Sequence, residues 1–581
     1  MDSSKDQPPG LSLMIRSFFI FTTLLLPLNV WGQEEDDVNA NAGPGGKKPN
    51  IILFLTDDQD LHMNSLDYQA VVQKEFVQKG TWFKKHFCTI ALCCPSRVSL
   101  LTGKHAHNTN ITDVKLPYGG YNRFVEQGLN ENYLPVWLQE AGYSTYYAGK
   151  LMNDHDLNTY NKPIARGWTQ SDFLLDPNTY IFYNASMTLD NTTPKFHPGK
   201  YSTDLLANRS VEFLNEAINA KKPFFLGIAP IAPHSETVKL PGKPPVFTEP
   251  VPAERHRHLF PDAKVPRTPN FNPDTPGAAA FMATMPKLTD EQVKFNDAFY
   301  RLRLQSLQSV DEMVQAVIKR LEANPEVLAN TYLFYTSDNG FHIGQHRLPP
   351  GKACSIEENV NIPFLARGPG IAAGAVAKFP TSHTDIAPTI MQLAGVKQRE
   401  DFDGLPIPLT KKAQNSPCLR KAEHVNVEFW GTINAEGTMF AKLNANPPIV
   451  TSKSLRVVGE DYDFSYVVWC TNEHELYDMK VDPFQMKNLM NSTVTSGMSI
   501  PQLKTRLDTL LLTLKTCKGK VCYRPWETVF PSGTVKTLGD AMNPKYDSFF
   551  NSQEKVTFSA CAKGYIQAVE GALKSKPYTG K

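Results

Sequence analysis

Two pairs of oxygen-bearing residues stand directly after apolar runs that predict buried strands. Asp57 and Asp58 follow the first run, and Asp338 and Asn339 follow a later one. Because ligands of open α/β sheets bind at the carboxyl ends of the strands, three carboxylates and an amide oxygen could converge there. Such an all-oxygen set suits a hard divalent cation, Ca²⁺ or Mg²⁺. Either motif alone is better explained by an Asp that caps the helix or turn after its strand, but the two together, in a chain that also carries the next motif, favour the metal site.

A second group of reactive side chains lies in Cys93-Cys94-Pro95-Ser96-Arg97. Pro95 fits the first turn of a helix beginning just after Cys93, which would put side chain 93 at a helix N-terminus. Backbone N–H groups and the helix dipole favour an anion at such a place. Arg97, one turn on, would face the same pocket. Considered only as adjacent cysteines, Cys93 and Cys94 could instead be ordinary disulfide partners.

The pattern Cys-x-Pro-Ser-Arg followed by x-x-x-Leu-Thr-Gly, at residues 93–103, resembles the signature of type I sulfatases that the formylglycine-generating enzyme recognises. Every fixed position matches, with Cys93 at the modified position and Cys94 at the variable one. The surrounding segment is similar to that of N-acetylglucosamine-6-sulfatases and, through Asn110 and Tyr121, more closely to that of fungal arylsulfatases. The resemblance implies hydrolysis of a sulfate ester to sulfate and an alcohol or phenol, with formylglycine (3-oxoalanine) at Cys93 and Ca²⁺ preferred to Mg²⁺.

The same resemblance assigns roles to individual residues. Lys150 matches a lysine that holds the sulfate, His234 matches a histidine near the leaving oxygen, and Lys352 falls, by looser spacing, where a second sulfate-binding lysine is expected. A supporting histidine of many sulfatases is here Met152, and whether Asn153 or His155 replaces it stays open. The implied metal ligands are Asp57, Asp58, Asp338, Asn339 and the modified residue 93.

The family model explains why a cysteine would be modified. One hydroxyl of the hydrated aldehyde attacks sulfur, and the other then expels sulfate and restores the aldehyde, an exit that cysteine or serine lacks. Asp58 or a neighbouring oxygen would polarise the nucleophile, and Arg97 would fix residue 93. His234 or Lys352 would protonate the leaving oxygen.

Alternation of short apolar runs with longer mixed segments predicts an α/β fold with a mostly parallel sheet. The resemblance specifies an alkaline phosphatase-like sandwich with helices flanking a large mixed sheet, and a smaller C-terminal α+β domain. We expect a catalytic domain at 49–422 and the smaller domain at 423–581. The predicted strands are 50–55, 223–228, 331–335, 362–366, 424–430 and 465–469, and the predicted helices are 134–141, 204–218, 297–323 and 500–514. A proline-dense segment at 233–286 predicts a long ordered loop.

The amino terminus predicts export. Lys5 and Arg16 precede an apolar run broken by Pro27, so residues 1–32 resemble a signal peptide more than a membrane anchor, and 33–48 reads as a flexible linker. Five glycosylation sequons, Asn110, Asn184, Asn191, Asn208 and Asn491, fit a secreted, N-glycosylated protein. Apart from Cys93, eight cysteines could pair in that oxidising compartment.

The near balance of 60 basic and 58 acidic residues gives no indication of a nucleic-acid or membrane partner. The expected partners are a small-molecule or carbohydrate sulfate ester and, during maturation, the formylglycine-generating enzyme. Two alternatives remain: a phosphoesterase of the alkaline phosphatase superfamily, and a catalytically silent secreted homologue, to which only Met152 points.

Overall fold

The computed structural model describes residues 47–239, 242, 245–416 and 422–580. The predicted signal peptide, nearly all of the predicted linker and Cys418 lie outside these ranges. Within them, no helix is long and apolar enough to cross a membrane.

A ten-stranded mixed sheet dominates the chain. Its order is β10-β2-β9-β8-β1-β7-β3-β4-β5-β6, and the five strands from β8 to β4 run parallel. Antiparallel pairs flank them on both sides. The strands are Asn50–Thr56 (β1), Thr81–Phe83 (β2), Ser144–Gly149 (β3), Gln170–Leu174 (β4), Tyr183–Leu189 (β5), Lys195–Tyr201 (β6), Phe224–Ala229 (β7), Thr331–Ser337 (β8), Phe364–Arg367 (β9) and Ala375–Ala377 (β10).

Helices cover both faces of this sheet, as the alternation in β1 requires. Ile51 and Leu53 pack into one apolar cluster, whereas Ile52 and Phe54 pack into another on the opposite face. The longer helices are Cys93–Thr102 (α1), Gly120–Glu126 (α2), Leu134–Glu140 (α3), Ser202–Ala220 (α4), Asp290–Glu322 (α5), Ile386–Leu393 (α6) and Ile500–Leu514 (α7). The shorter ones are Ala70–Val72, Ala106–Thr109, Ala280–Ala283, Pro325–Ala329, Glu357–Val360, Lys411–Gln414, Lys520–Tyr523, Pro525–Val529, Leu538–Ala541 and Asp547–Asn551.

A second, antiparallel sheet follows in the chain and packs against α7. Leu455 and Leu476 of this sheet share an apolar cluster with Leu503 and Leu507 of the helix. Its four strands pair in chain order: His424–Phe429 (β11), Ser452–Val458 (β12), Asp463–Trp469 (β13) and His474–Asp478 (β14). Three two-stranded ladders lie outside both sheets: His86–Phe87 with Thr381–Ser382, Thr237–Val238 with Val246–Phe247, and Val494–Thr495 with Met498–Ser499.

The predicted α/β architecture is confirmed, with some elements displaced. Helix α5 begins at Asp290, seven residues before the predicted start at 297, because Thr289 and Gln292 form a capping box there. The predicted strand at 362–366 is β9, which runs antiparallel to β8. Segment 233–286 contains only the short ladder and short helical turns within its described residues.

The cysteines correct one expectation. Disulfides join Cys470 to Cys561 and Cys517 to Cys522, but the set of eight does not pair throughout. Cys88, Cys94 and Cys354 are buried free thiols, and each lies in an apolar cluster, where free cysteine behaves as a small hydrophobic side chain.

Candidate active site

Four neighbouring parallel strands carry the candidate residues at one edge of the sheet. Asp57 follows β1 directly, Asp338 follows β8, Lys150 follows β3, and His234 lies in the loop after β7. The order β8-β1-β7-β3 makes these strands adjacent. The carboxyl edge of the parallel core therefore brings together residues that are far apart in sequence, as the strand-end pattern predicts.

The predicted metal ligands form one buried group of oxygens. Asp57, Asp58, Asp338 and Asn339 are all completely buried. The Asn339 amide group donates to Asp58 Oδ1 at 2.7 Å and to the Gly340 carbonyl at 2.9 Å. Its Oδ1 has no hydrogen-bond partner in the ranges that the structure describes. An orphaned amide oxygen beside three carboxylates fits a hard cation such as Ca²⁺.

Asp58 adopts a left-handed backbone conformation, with φ at 66°. Such a conformation is uncommon for a residue other than glycine. The Asp58 N–H donates to Asp338 Oδ1 at 3.0 Å, so β8 holds this turn in place. The strained turn thus lies where the residues that follow β1 meet the residues that follow β8.

Cys93 is the first residue of α1, and its side chain points into this group. Only 1% of the residue is exposed, and its Sγ lies 3.3 Å from Asp57 Oδ1 and 3.3 Å from Lys352 Nζ. Cys93 and Cys94 are both free thiols, so the disulfide alternative is wrong. Burial, reinforced by Asp338 and Asp57, raises the pKa of the Cys93 thiol well above its usual value. Unmodified, Cys93 is therefore a neutral thiol and a poor nucleophile.

Three cations match the three carboxylates. Lys150 Nζ lies 2.6 Å from Asp57 Oδ2, Lys352 Nζ lies 2.5 Å from Asp58 Oδ2, and Arg97 Nε donates to Asp338 Oδ2 at 2.8 Å.

These ion pairs set the charges of the group. Burial alone would raise the pKa of Asp57, but Lys150, His234 and Arg97 together hold it at about 2. Burial likewise opposes the lowered pKa of Asp58, which Lys352 produces. The pairs therefore keep both carboxylates ionised and available to a cation.

Arg97 acts on the carboxylates in this structure. Besides Asp338, its guanidinium lies 3.6 Å from Asp57 Oδ2 and donates to the Lys150 carbonyl at 2.6 Å. Arg97 was expected to fix residue 93. In the structure it does so indirectly, because it binds the carboxylates beside the thiol and the backbone carbonyl of Lys150.

His234 is held so that one ring nitrogen faces the acids. Its Nδ1 donates to the Ser235 carbonyl at 2.7 Å, because a carbonyl can only accept. Its Nε2 lies 3.5 Å from Asp58 Oδ2. In the neutral ring Nε2 therefore carries a lone pair, and only the imidazolium could donate from that side.

The structure shows what surrounds the position of the family histidine. Met152 is buried in an apolar cluster, and the His155 ring packs 4.2 Å from Tyr121. Asn153 donates to the Tyr180 hydroxyl at 2.6 Å. The Tyr180 ring lies 4.4 Å from His234 and 4.6 Å from Lys150 Nζ. Asn153 thus reaches the site through Tyr180, whereas the contacts of His155 are with aromatic rings outside it.

Sequence reasoning missed three side chains besides Tyr180. Ser96 donates to the Asp338 carbonyl at 2.5 Å and contacts His383 Nδ1 at 2.8 Å, and Glu436 lies 3.9 Å from Lys352 Nζ. Ser96 stands inside the motif and could have been found there. Tyr180, His383 and Glu436 stand in segments that carry no motif.

Comparison with known proteins agrees with this geometry. A model of the Sulfatase family matches residues 49–396. The chain belongs to the sulfatase family. It is 56% identical over 402 residues to Sulfatase ppz1 of Metarhizium majus, covering 69% of this chain and 86% of that protein. The predicted resemblance is confirmed.

Two further sulfatases extend the similarity over most of the chain. An arylsulfatase of Volvox carteri is 36% identical, covering 90% of this chain and 82% of its own. Human N-acetylglucosamine-6-sulfatase is 30% identical, with coverages of 83% and 87%. One solved structure, a protein in complex with its substrate D-glucosamine-2-N,6-O-disulfate, superposes with a TM-score of 0.61 at 22% identity and covers 77% of this chain and 94% of its own. That likeness supports the alkaline phosphatase-like sulfatase fold.

Proposed function

We propose that this sulfatase-family hydrolase cleaves aryl or carbohydrate sulfate esters, using formylglycine made from Cys93 and a bound Ca²⁺. The observation that carries the proposal is the position of Cys93. It starts a helix, and its Sγ lies 3.3 Å from both Asp57 Oδ1 and Lys352 Nζ. Nearby, Asn339 Oδ1 has no hydrogen-bond partner within the described part of the chain.

The site's oxygens would hold the cation, and residue 93 would lie against it. Asp57, Asp58, Asp338 and the free Oδ1 of Asn339 supply the protein ligands. The cation would polarise a sulfate oxygen, and the hydrated aldehyde would supply a nucleophile that is regenerated after each turnover. The neutral thiol of unmodified Cys93 is a poor nucleophile and would not be regenerated in this way.

Lys150 and Lys352 would neutralise the sulfate. Each lysine pairs with a carboxylate of the proposed cation site, and Lys352 Nζ also lies 3.3 Å from Cys93 Sγ. Together with the cation they would offset the negative charge that builds on the sulfate oxygens in the transition state.

His234 would give a proton to the leaving oxygen. Its Nδ1 proton is committed to the Ser235 carbonyl, so the transferred proton would come from Nε2 of the imidazolium. This nitrogen lies 3.5 Å from Asp58 Oδ2, on the side of the ring that faces the acids.

Two measurements test the proposal together. Peptide mass spectrometry of secreted protein should find formylglycine, or its hydrate, at residue 93. The same preparation should release sulfate from 4-nitrophenyl sulfate faster than it releases phosphate from 4-nitrophenyl phosphate. An unmodified Cys93 in inactive protein would support a silent homologue, and a preference for phosphate would support the phosphoesterase alternative.

We also propose that the chain is secreted and N-glycosylated, with no nucleic-acid partner and no stable membrane association. Asn184, Asn208 and Asn491 are exposed, as glycan acceptors need to be. Glycopeptide analysis should find glycans at these three sites. Sulfated small molecules or carbohydrates, and the formylglycine-generating enzyme during maturation, are the expected partners.

A further inference from the structure

Glu436 is a buried carboxylate without a hydrogen bond. The residue is completely buried, and neither Oε1 nor Oε2 has a hydrogen-bond partner among the residues that the structure describes. Burying an ionised carboxylate costs free energy unless its oxygens accept hydrogen bonds. A donor that is not part of the protein would resolve this arrangement.

Backbone contacts between two segments place Glu436 next to the site. Its N–H donates to the Pro350 carbonyl at 2.8 Å. A Cβ on Gly351 would lie only 2.3 Å from the Asn434 carbonyl oxygen, so the two segments touch closely. They carry Glu436 and Lys352, whose side chains come within 3.9 Å.

The chemistry of a carboxylate restricts what Glu436 can bind. An ionised carboxylate only accepts hydrogen bonds, and so does a sulfate oxygen, and both are negative. Glu436 therefore cannot bond the sulfate group that Lys352 is proposed to hold. Its donor has to come from the alcohol part of the ester, close to the sulfate.

We infer that Glu436 is a specificity-determining residue that accepts a hydrogen bond from a hydroxyl or amide N–H on the alcohol part of the substrate, which makes sulfated carbohydrates the substrate class. This inference rests on the function proposed above. It separates sulfated sugars, which carry such donors, from simple aryl sulfates, which do not.

The charge balance favours a neutral donor. Asp57, Asp58 and Asp338 offset Arg97, Lys150 and Lys352, and the His234 imidazolium that the proposed proton transfer needs adds one positive charge. A divalent cation and a sulfate monoester would add another, and Glu436 offsets one of the two. A hydroxyl or amide adds no charge, whereas an ammonium group on the substrate would increase the positive excess.

The test compares Glu436→Gln and Glu436→Ala with the unaltered protein on two substrates. N-Acetylglucosamine 6-sulfate carries neutral donors, and 4-nitrophenyl sulfate carries none. We expect the ratio of kcat/KM for the sugar to kcat/KM for the aryl ester to fall roughly 10- to 100-fold in Glu436→Ala, as for loss of a hydrogen bond to a charged group. Glu436→Gln keeps the shape of the side chain and should show the same direction of change.

Glu475→Gln is the matched control. Glu475 is a buried carboxylate of β14, but Trp469 Nε1 and the Tyr477 hydroxyl donate to it at 2.8 and 2.9 Å. This change should lower the Tm and leave the ratio of the two substrates unaltered. Glu436→Gln should leave the Tm unchanged or raise it, because no hydrogen bond within the protein is lost.

Four results would overturn the inference. An unchanged ratio shows that Glu436 does not touch the alcohol part. An equal fall for both substrates shows that Glu436 acts through Lys352 instead. Protein with verified formylglycine that cleaves 4-nitrophenyl sulfate but not the sugar sulfate overturns the inference and leaves the proposed function intact. Verified formylglycine with no activity on either substrate overturns both.

Discussion

Two of the buried charge groups in the described part of the chain differ in how their polar atoms are satisfied. One is the candidate active site at the carboxyl edge of the large sheet. The other joins the short helix Ala106–Thr109 to the C-terminal sheet. There, His107 Nδ1 donates to Glu428 Oε2 at 2.8 Å and Lys453 Nζ donates to Glu428 Oε1 at 2.9 Å.

The charged side chains of the second group bond to other side chains and to backbone carbonyls of the protein. His107 Nε2 contacts the Cys517 carbonyl at 2.7 Å, and the Trp430 indole donates to Glu570 at 2.7 Å. Lys515 donates to the backbone carbonyls of Glu570 and Ala572. Glu570 Oε2 has no hydrogen-bond partner among the described residues, but it lies 3.5 Å from Lys453 Nζ and 3.6 Å from Lys515 Nζ. In the active site, Asn339 Oδ1 and both oxygens of Glu436 lack hydrogen bonds. Buried charge is therefore common to both groups, and the active site differs in holding a carboxylate that accepts no hydrogen bond at either oxygen.

The largest expected effect is at residue 93. Cys93→Ala removes the group that becomes the nucleophile and should lower kcat/KM for 4-nitrophenyl sulfate by roughly 10⁴-fold or more, the scale seen when a nucleophile is deleted. Thermal unfolding should show a Tm close to that of the unaltered protein. Cys94→Ala, at the variable position of the motif, is the control and should retain formylglycine and most of the activity. Comparable loss in both variants would contradict the assignment.

Asp338→Asn tests whether the incomplete group binds a cation. A ligand that binds only the folded state stabilises it in proportion to its concentration, so Ca²⁺ should raise the Tm of the unaltered protein. We expect that rise to vanish in Asp338→Asn and to persist in Glu428→Gln. Differential scanning fluorimetry with and without a chelator provides the measurement. A calcium response in Asp338→Asn equal to that of the unaltered protein would remove Asp338 from the ligand set.

Glu428→Gln tests the second group. It leaves Lys453 and His107 without their common carboxylate and should lower the free energy of unfolding by about 3–5 kcal/mol, as for breaking a buried ion pair. Denaturant titration measures this change. The kcat/KM per folded molecule should stay close to that of the unaltered protein. A selective loss of kcat/KM with full stability would place Glu428 in the catalytic site.

The pH dependence of stability should follow from the same pair. Burial opposes the raised pKa of His107, but Glu428 produces it. The contribution of His107 is therefore complete below about pH 6.5, the ordinary value for histidine, and is lost as pH rises through the raised folded pKa. His107→Gln should destabilise the protein more at pH 6 than at pH 9, as judged from urea unfolding. Equal destabilisation at both values would contradict a charged His107.

Tyr180→Phe should give the smallest effect. The variant keeps the ring against His234 and Lys150 and loses only the hydrogen bond from Asn153. We expect about 1 kcal/mol of destabilisation and a fall in kcat/KM within about tenfold, measured on 4-nitrophenyl sulfate. Asn153→Ala should match it, since both changes break the same bond. A large fall in kcat/KM in Asn153→Ala alone would contradict this and would indicate that Asn153 takes the place of the family histidine that is Met152 here.

Strand-end patterns predicted the site well because adjacent parallel strands converge at one edge. Asp57 and Asp338 could be placed together from their positions after apolar runs. Glu436 and Tyr180 could not, since each comes from an irregular segment whose path depends on tertiary packing. Strands β4 to β6 and β12 were missed for a related reason: mixed polar residues, as in Lys195–Tyr201 with its largely exposed side chains, hide the strand period.

The burial of α1 also imposes an order of events during synthesis. All ten residues of this helix are buried, and Val98 and Leu101 share a cluster with Ile386 and Ile390 of α6. A converting enzyme cannot reach Cys93 once that cluster closes. At a synthesis rate of about 5–20 residues per second, α6 emerges roughly 15–60 s after α1. If Cys93 is converted as proposed, conversion has to precede closure of that cluster, so slower folding of the large sheet should yield more active enzyme.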